Sequence, residues 1–213
     1  MRTTIASCPE IVSVDKPNII WTGGDATIGS KCVIGLDRDG VINEDLGTYC
    51  VSPDAFKPIP GSLDAMANLR RKGYKIVVIT DQGGIEKGVM TMEDVDKVHN
   101  RMYELLVQAG CITIDALYYS ASSRKDDPFA KPNTGMFKRC EKENKAIKFK
   151  EGYYVGDKMK DLKAAVKIGA KPVLVRTGYG IETEKELNRH SNREVKAKTI
   201  IFDDLASFVA SME

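Results

Sequence analysis

Asp37 and Asp39 flank a single arginine in the stretch Asp37-Arg38-Asp39-Gly40, directly behind the apolar run Val33 to Leu36. An extended backbone points residues two apart the same way, so both carboxylates face one side of a strand mouth, and Gly40 lets the chain turn sharply. Taken alone, an acidic pair ahead of glycine equally suits a turn or a helix cap. A calcium loop beginning at Asp37 is excluded, because the chain carries Ile42 and Thr48 where such a loop needs glycine and glutamate. Asp157, preceded by Gly156, follows another predicted strand. Carboxylates gathered at one rim repel one another unless a divalent cation neutralises them, and hard oxygen ligands without His or Cys favour Mg²⁺. Thr80 leads into Asp81-Gln82-Gly83-Gly84, where backbone N–H groups and a hydroxyl can surround an anion, although an ordinary glycine-rich turn has the same composition. Lys131, ahead of Pro132, would by itself be a solvated loop charge. Together, a carboxylate nucleophile, a second carboxylate, a metal ligand, a hydroxyl and a lysine form a complete set for phosphoryl transfer, in which the protein positions groups and neutralises charge.

These residues can meet only if the segments between them fold back repeatedly. From about residue 32 the chain alternates short β-branched runs with helical patterns: strands at Val33 to Leu36, Lys75 to Ile79, Ile114 to Tyr119, Tyr153 to Val155, Pro172 to Val175 and Thr199 to Phe202. Helices are predicted over Gly61 to Lys72, from Thr91 to Gly110, over Thr134 to Asn144 and Met159 to Ile168, and from about Asp204. Thr91 with Asp94 forms a capping-box pattern ahead of the stripe Val95, Val98, Met102, Leu105, Leu106 and Ala109. Strands apolar on both faces and separated by helices predict a three-layer α/β fold, a doubly wound, Rossmann-like parallel sheet. In such folds function collects at the carboxyl ends of the strands, which is where all four polar clusters fall. Residues 1 to about 31 break the pattern and are read as an N-terminal extension, with Ile11 to Val14 and Ile19 to Thr22 as strands or an arm covering the sheet's edge. Glu182 to Lys198 is polar enough to be a mobile surface segment.

At 213 residues, with 42% hydrophobic and 29% charged side chains, the chain suits one globular domain (32 to 213) behind its extension. Lys and Arg total 32 against 30 Asp and Glu, a formal charge of +2, which disfavours nonspecific binding to nucleic acid or anionic membrane. No apolar run approaches the ~18 to 20 residues of a membrane span. The five cysteines, Cys8, Cys32, Cys50, Cys111 and Cys140, lack the spacing of zinc or redox motifs and read as reduced thiols in a cytoplasmic protein, a monomer or small homo-oligomer.

D-R-D-G-V, V-I-T-D-Q-G-G-I, K-P-N-T-G-M and V-G-D-K-M-K-D, in that order and at these intervals, resemble the haloacid dehalogenase (HAD) superfamily of phosphatases from about residue 33 to the C-terminus. Within it the chain is most similar to the D-glycero-D-manno-heptose 1,7-bisphosphate phosphatase and histidinol phosphatase branch, whose later V-L-V-R-T-G stands here at Val173 to Gly178. The resemblance implies Asp37 as the nucleophile forming an aspartyl-phosphate, and Asp39 as the acid for the leaving oxygen and then the base for the hydrolytic water. It implies Thr80, with Asp81 and Gln82 beside it, and Lys131 as the phosphate-binding group. Asp157, the Asp37 carboxylate and the Asp39 carbonyl would bind Mg²⁺, and Asp161 would orient Lys158 or a metal-bound water. A carboxylate attacking a phosphate dianion is repelled by several kcal/mol at ~4 Å with an effective dielectric near ~20, and Mg²⁺ with Lys131 reverses that sign.

The pattern departs in three places. Ser120 to Ala130 carries neither Cys nor His, so the branch's zinc loop is missing and no zinc is expected. Ala130 replaces the branch's arginine, which Arg124 and Lys125 could compensate, and Asp81 replaces its asparagine. No large cap domain fits between Gly40 and Thr80 or between Gly84 and Lys131, so the site should be open. The expectation is a Mg²⁺-dependent phosphatase of a small phosphorylated sugar of heptose bisphosphate type. Histidinol phosphate or another small phosphoester, a polynucleotide 3′-phosphate, and a non-catalytic scaffold retaining the fold are the alternatives.

Overall fold

Residues 18–22, 32–111 and 113–212 are described by the computed structural model. Its strands are β1 (Asn18–Thr22), β2 (Val33–Leu36), β3 (Lys75–Asp81), β4 (Ala116–Ser120), β5 (Tyr153–Gly156), β6 (Lys171–Val175) and β7 (Ile200–Phe202). Its helices are α1 (Ser62–Arg71), α2 (Met92–Gln108), α3 (Gly135–Glu143), α4 (Met159–Ile168), α5 (Gly180–Leu187), α6 (Arg193–Lys198) and α7 (Leu205–Ala210). Local signals set several boundaries. Thr91 Oγ1 accepts from the Asp94 N–H at 3.1 Å while the Asp94 carboxylate accepts from the Thr91 N–H at 2.9 Å, so the predicted capping box starts α2.

The seven strands lie in the order β1-β4-β3-β2-β5-β6-β7, parallel except for β1, which runs antiparallel to β4. Alternation along β3 shows how the layers form. Ile76 and Val78 pack with Met66 and Leu69 of α1, Val98 and Met102 of α2, and Phe208 of α7. Val77 and Ile79 face the other way, against Phe137 of α3 and Ala164 of α4. The sheet is thus covered on both faces, and its order reverses direction at β2, so the crevice of the fold opens where β2 and β5 end.

Ile19 to Thr22, expected as a strand or arm covering the sheet's edge, lies in β1, which pairs antiparallel with β4 at the edge of the otherwise parallel sheet; Ile11 to Val14 and Cys8 lie outside the described residues. Three expectations change. The strand expected over Lys75 to Ile79 runs on to Asp81, so Thr80 lies within β3. The strand expected from Ile114 begins at Ala116, because the Asp115 side chain takes the Ile76 N–H at 2.8 Å before the ladder starts. Glu182 to Lys198 is not an irregular segment but α5, a 3₁₀ turn and α6, anchored by buried Leu187 and Asn192. Its few apolar anchors left too little periodicity to read. Between Gly40 and Thr80 stand one 3₁₀ turn and α1, and between Gly84 and Lys131 α2, β4 and loops, so among the described residues these two insertions form no cap domain over the carboxyl ends of the strands. No helix among the described residues is long and apolar enough to cross a membrane.

Candidate active site

Asp37 follows β2 and is 4% exposed; its N–H donates to Val155 O on β5 at 2.9 Å, which fixes the strand end. One carboxylate oxygen accepts from the Arg38 N–H at 2.8 Å and the other lies 2.8 Å from Lys131 Nζ. Lys131 comes from the loop before α3, yet its side chain is fully buried. Its ammonium also stands 2.7 Å from Asp161 Oδ1, 3.1 Å from the Tyr154 hydroxyl and 3.2 Å from Ile79 O. Burial works against charge on both partners, but Lys131 together with Lys160 and Lys158 holds Asp37 below the usual carboxylate range, and Asp161 and Asp37 hold Lys131 well above the usual lysine range. Both are therefore ionised.

Asp39, two residues on, sits in a different setting. Its side chain is 25% exposed at the mouth of the crevice and accepts from Arg38 Nη2 at 2.8 and 2.9 Å, from Arg38 Nε at 3.2 Å, from Asn43 Nδ2 at 2.9 Å and from Gln82 Nε2 at 3.1 Å. Burial raises its affinity for a proton, but Arg38, Asn43 and Gln82 outweigh it and lower the pKa. Gln82 Nε2 also donates to Thr80 Oγ1 at 3.0 Å, so the hydroxyl is oriented beside Asp39.

Asp157 is buried behind the pair. One oxygen accepts from the Tyr179 N–H at 2.9 Å; the other, Oδ1, has no hydrogen-bond partner among the described residues. Burial pushes its pKa up to about 8, with Asp161 and Asp37 adding repulsion and Lys158 opposing. Gly40 (φ +84°) and Gly178 (φ +57°) close over this carboxylate, and a β-carbon at either would collide with it. Carboxylate oxygens of Asp37, Asp157 and Asp161 lie within 4.8 Å of one another. A buried cluster of hard oxygens with one unpartnered atom suits a small divalent cation and supplies no soft ligand.

The structure thus brings Asp37, Asp39, Thr80, Gln82, Lys131, Asp157 and Asp161 to one crevice. Lys158 Nζ lies 3.9 Å from Asp157 and pairs with Asp45 at 2.6 Å, over the Tyr179 ring. Asp161 meets the Lys131 ammonium and accepts from the backbone N–H of Lys158 at 3.0 Å, capping α4, while the Lys158 ammonium turns to Asp45. Asp81 spends both oxygens on protein donors, the Lys131 N–H at 3.1 Å and Lys160 Nζ at 2.6 Å. Arg124 pairs with Glu86 and Asp126, and Lys125 contributes its carbonyl to Asn133; neither side chain is tied to the carboxylate cluster. The residues that motif reading passed over are Arg38, Asn43, His99, Tyr154 and Lys160. Arg38, between the two aspartates, carried the only signal; the others come from separate elements whose meeting is tertiary.

The chain matches the family model described as polynucleotide kinase 3 phosphatase over residues 45–196. It is 36% identical over 177 residues to the D-glycero-beta-D-manno-heptose-1,7-bisphosphate 7-phosphatase of Pseudomonas putida, covering 83% of this chain and 97% of that one. The crystal structure of D,D-heptose 1,7-bisphosphate phosphatase from B. bronchiseptica, complexed with magnesium and phosphate, matches with a TM-score of 0.77 and 30% identity over 85% of this chain and 98% of that one. The enzyme of the same description from Burkholderia thailandensis gives 0.63 and 32%, over 84% and 97%.

Proposed function

Because this chain belongs to the HAD superfamily and, within it, to the family of the heptose 1,7-bisphosphate phosphatases, we propose that it is a Mg²⁺-dependent phosphatase of a small phosphorylated sugar of heptose bisphosphate type. The observation that carries this reading is the division between two aspartates two residues apart. Asp37 is ionised against Lys131 with two further carboxylates within 4.8 Å, while Asp39 is held apart by Arg38, Asn43 and Gln82 at the crevice mouth.

Asp37 attacks phosphorus as the carboxylate, the form that Lys131 stabilises, and becomes an aspartyl-phosphate. Lys131 and the Thr80 hydroxyl meet the phosphoryl oxygens, with backbone N–H groups after β3 beside them. Asp39 gives its proton to the departing sugar oxygen and takes one from the water that hydrolyses the acyl-phosphate. An arriving phosphate raises the proton affinity of Asp39 by adding negative charge beside it, which opposes the depression caused by Arg38. Asp37, Asp157 and the Asp39 carbonyl would hold Mg²⁺, which when bound supplies Lewis-acid neutralisation of phosphoryl charge. Asp81 acts by holding Lys131 and Lys160 in place. The protein is read as cytoplasmic, supported by free thiols at Cys32, Cys50, Cys111 and Cys140. A polynucleotide 3′-phosphate is the second reading, favoured by the family model over 45–196 and opposed by the near-neutral charge.

Phosphate release from heptose bisphosphates, histidinol phosphate, hexose phosphates and 3′-phosphorylated oligonucleotides, with Mg²⁺ and with chelator, tests the reading. Chelator-sensitive turnover of a heptose bisphosphate well above the others is the expected result, with Asp37→Asn inactive yet folded and no stoichiometric zinc on metal analysis. Preferred turnover of the oligonucleotide would install the second reading, and near-wild-type activity of Asp37→Asn would remove the mechanism.

A further inference from the structure

His99 lies on α2, outside every motif above, and is 2% exposed. Its Nε2 stands 3.1 Å from Arg38 Nη1. A guanidinium offers only donors and keeps its proton in proteins, so Nε2 is the acceptor and the imidazole is the neutral tautomer with its proton on Nδ1. That Nδ1 meets no hydrogen-bond partner among the described residues. The ring packs instead on Tyr119, centroids 5.6 Å apart and planes tilted by 52°. Leaving a buried N–H unpaired costs free energy, so packing alone calls for an apolar side chain at this position. What histidine supplies, and an apolar residue does not, is the acceptor for Arg38.

Arg38 is itself completely buried. Nε and Nη2 grip the Asp39 carboxylate and Nη2 also reaches Gln82, while Nη1 points the other way, into His99. Because the guanidinium is planar, fixing Nη1 sets the plane in which Nε and Nη2 present their protons. We propose that His99 is a positioning residue for Asp39, acting through Arg38 to hold the carboxyl where the leaving oxygen departs; this rests on the reading of Asp39 as the acid.

An acid matters most when the leaving group is poor, which separates this role from a structural one. His99→Leu is expected to lower kcat/KM for the sugar phosphate by ~10-fold or more, and for 4-nitrophenyl phosphate, whose leaving group needs no proton, by ~2-fold or less. His99→Gln, which keeps a neutral acceptor, should retain both values within ~3-fold. Equal losses on the two substrates in folded His99→Leu, or no loss on either, would overturn the proposal. Asp39→Asn must show the same dependence on leaving group. If it does not, the reading of Asp39 falls and the inference with it; if it does and His99→Leu does not, His99 alone is wrongly assigned. Nitrogen-15 NMR of the wild-type chain at neutral pH needs no variant to fold. A neutral Nδ1–H imidazole is expected at His99, and an Nε2–H tautomer would refute the arrangement.

Discussion

At Asp37 and Asp39 one side-chain type is put to two uses by what surrounds it. A lysine ammonium with no other access to water keeps Asp37 a bare carboxylate, and a guanidinium, two amides and partial solvent contact keep Asp39 in place at the mouth. His99 belongs to the same scale, and its titration has a readable consequence. Burial and the neighbouring Arg38 lower its pKa well below the ordinary value of about 6.5. The unfolded chain therefore takes up a proton below pH ~6.5 that the native chain refuses. Its contribution to stability is complete above pH ~6.5 and falls as pH drops below it, at up to ~1.4 kcal/mol per pH unit until the folded pKa is reached. Thermal unfolding between pH 7 and pH 5 should show a flatter pH profile for His99→Gln than for wild type. Parallel profiles would mean that the imidazole is not kept neutral.

Elements meet at the site through side chains that make no claim on substrate. Asp81 ends β3, Lys160 lies in the first turn of α4, and the Lys131 N–H belongs to the loop before α3; one carboxylate joins all three. Lys160 is 30% exposed and Asp81 only 1%, so the pair is held on its inner side, where an unmatched carboxylate is costly. Lys160→Met should destabilise by roughly 1–3 kcal/mol, and adding Asp81→Asn should recover part of that loss, because the amide still accepts from Lys131 and no charge is left unpaired. Denaturant unfolding of the single and double variants measures the coupling, and strict additivity would show that the 2.6 Å pair contributes nothing. The sequence showed Asp81 as a departure from its branch without showing the reason. Its partner lies 79 residues away, and nothing local connects a strand end with the second residue of a helix. The capping box of α2 and the aspartate pair at the end of β2 were readable because their partners lie within three residues.

Over the whole molecule, the sheet separates a functional end from a structural one. Phe208 of α7 is 2% exposed and packs on Phe202 and on Tyr153, the first residue of β5, whose opposite end delivers Asp157. Phe208→Ala should cost about 3–5 kcal/mol in equilibrium unfolding while leaving kcat per folded molecule near wild type; a large fall in kcat would show that the two ends are coupled. By itself the sequence determined the α/β repetition, nearly every strand and helix, the placement of Asp37 and Asp157 just past strand ends and of Thr80 at the carboxyl end of β3, and Lys131 in the loop before α3, since periodicity, capping and turn chemistry are local properties. Only the tertiary structure decided that the edge strand pairs antiparallel with β4, the helices within 182–198, the burial of Lys131 between two carboxylates, and the link from His99 through Arg38 to Asp39. Strand direction, burial and ion-pair geometry depend on which distant segments share an interface, and that is set when the two faces of the sheet are covered.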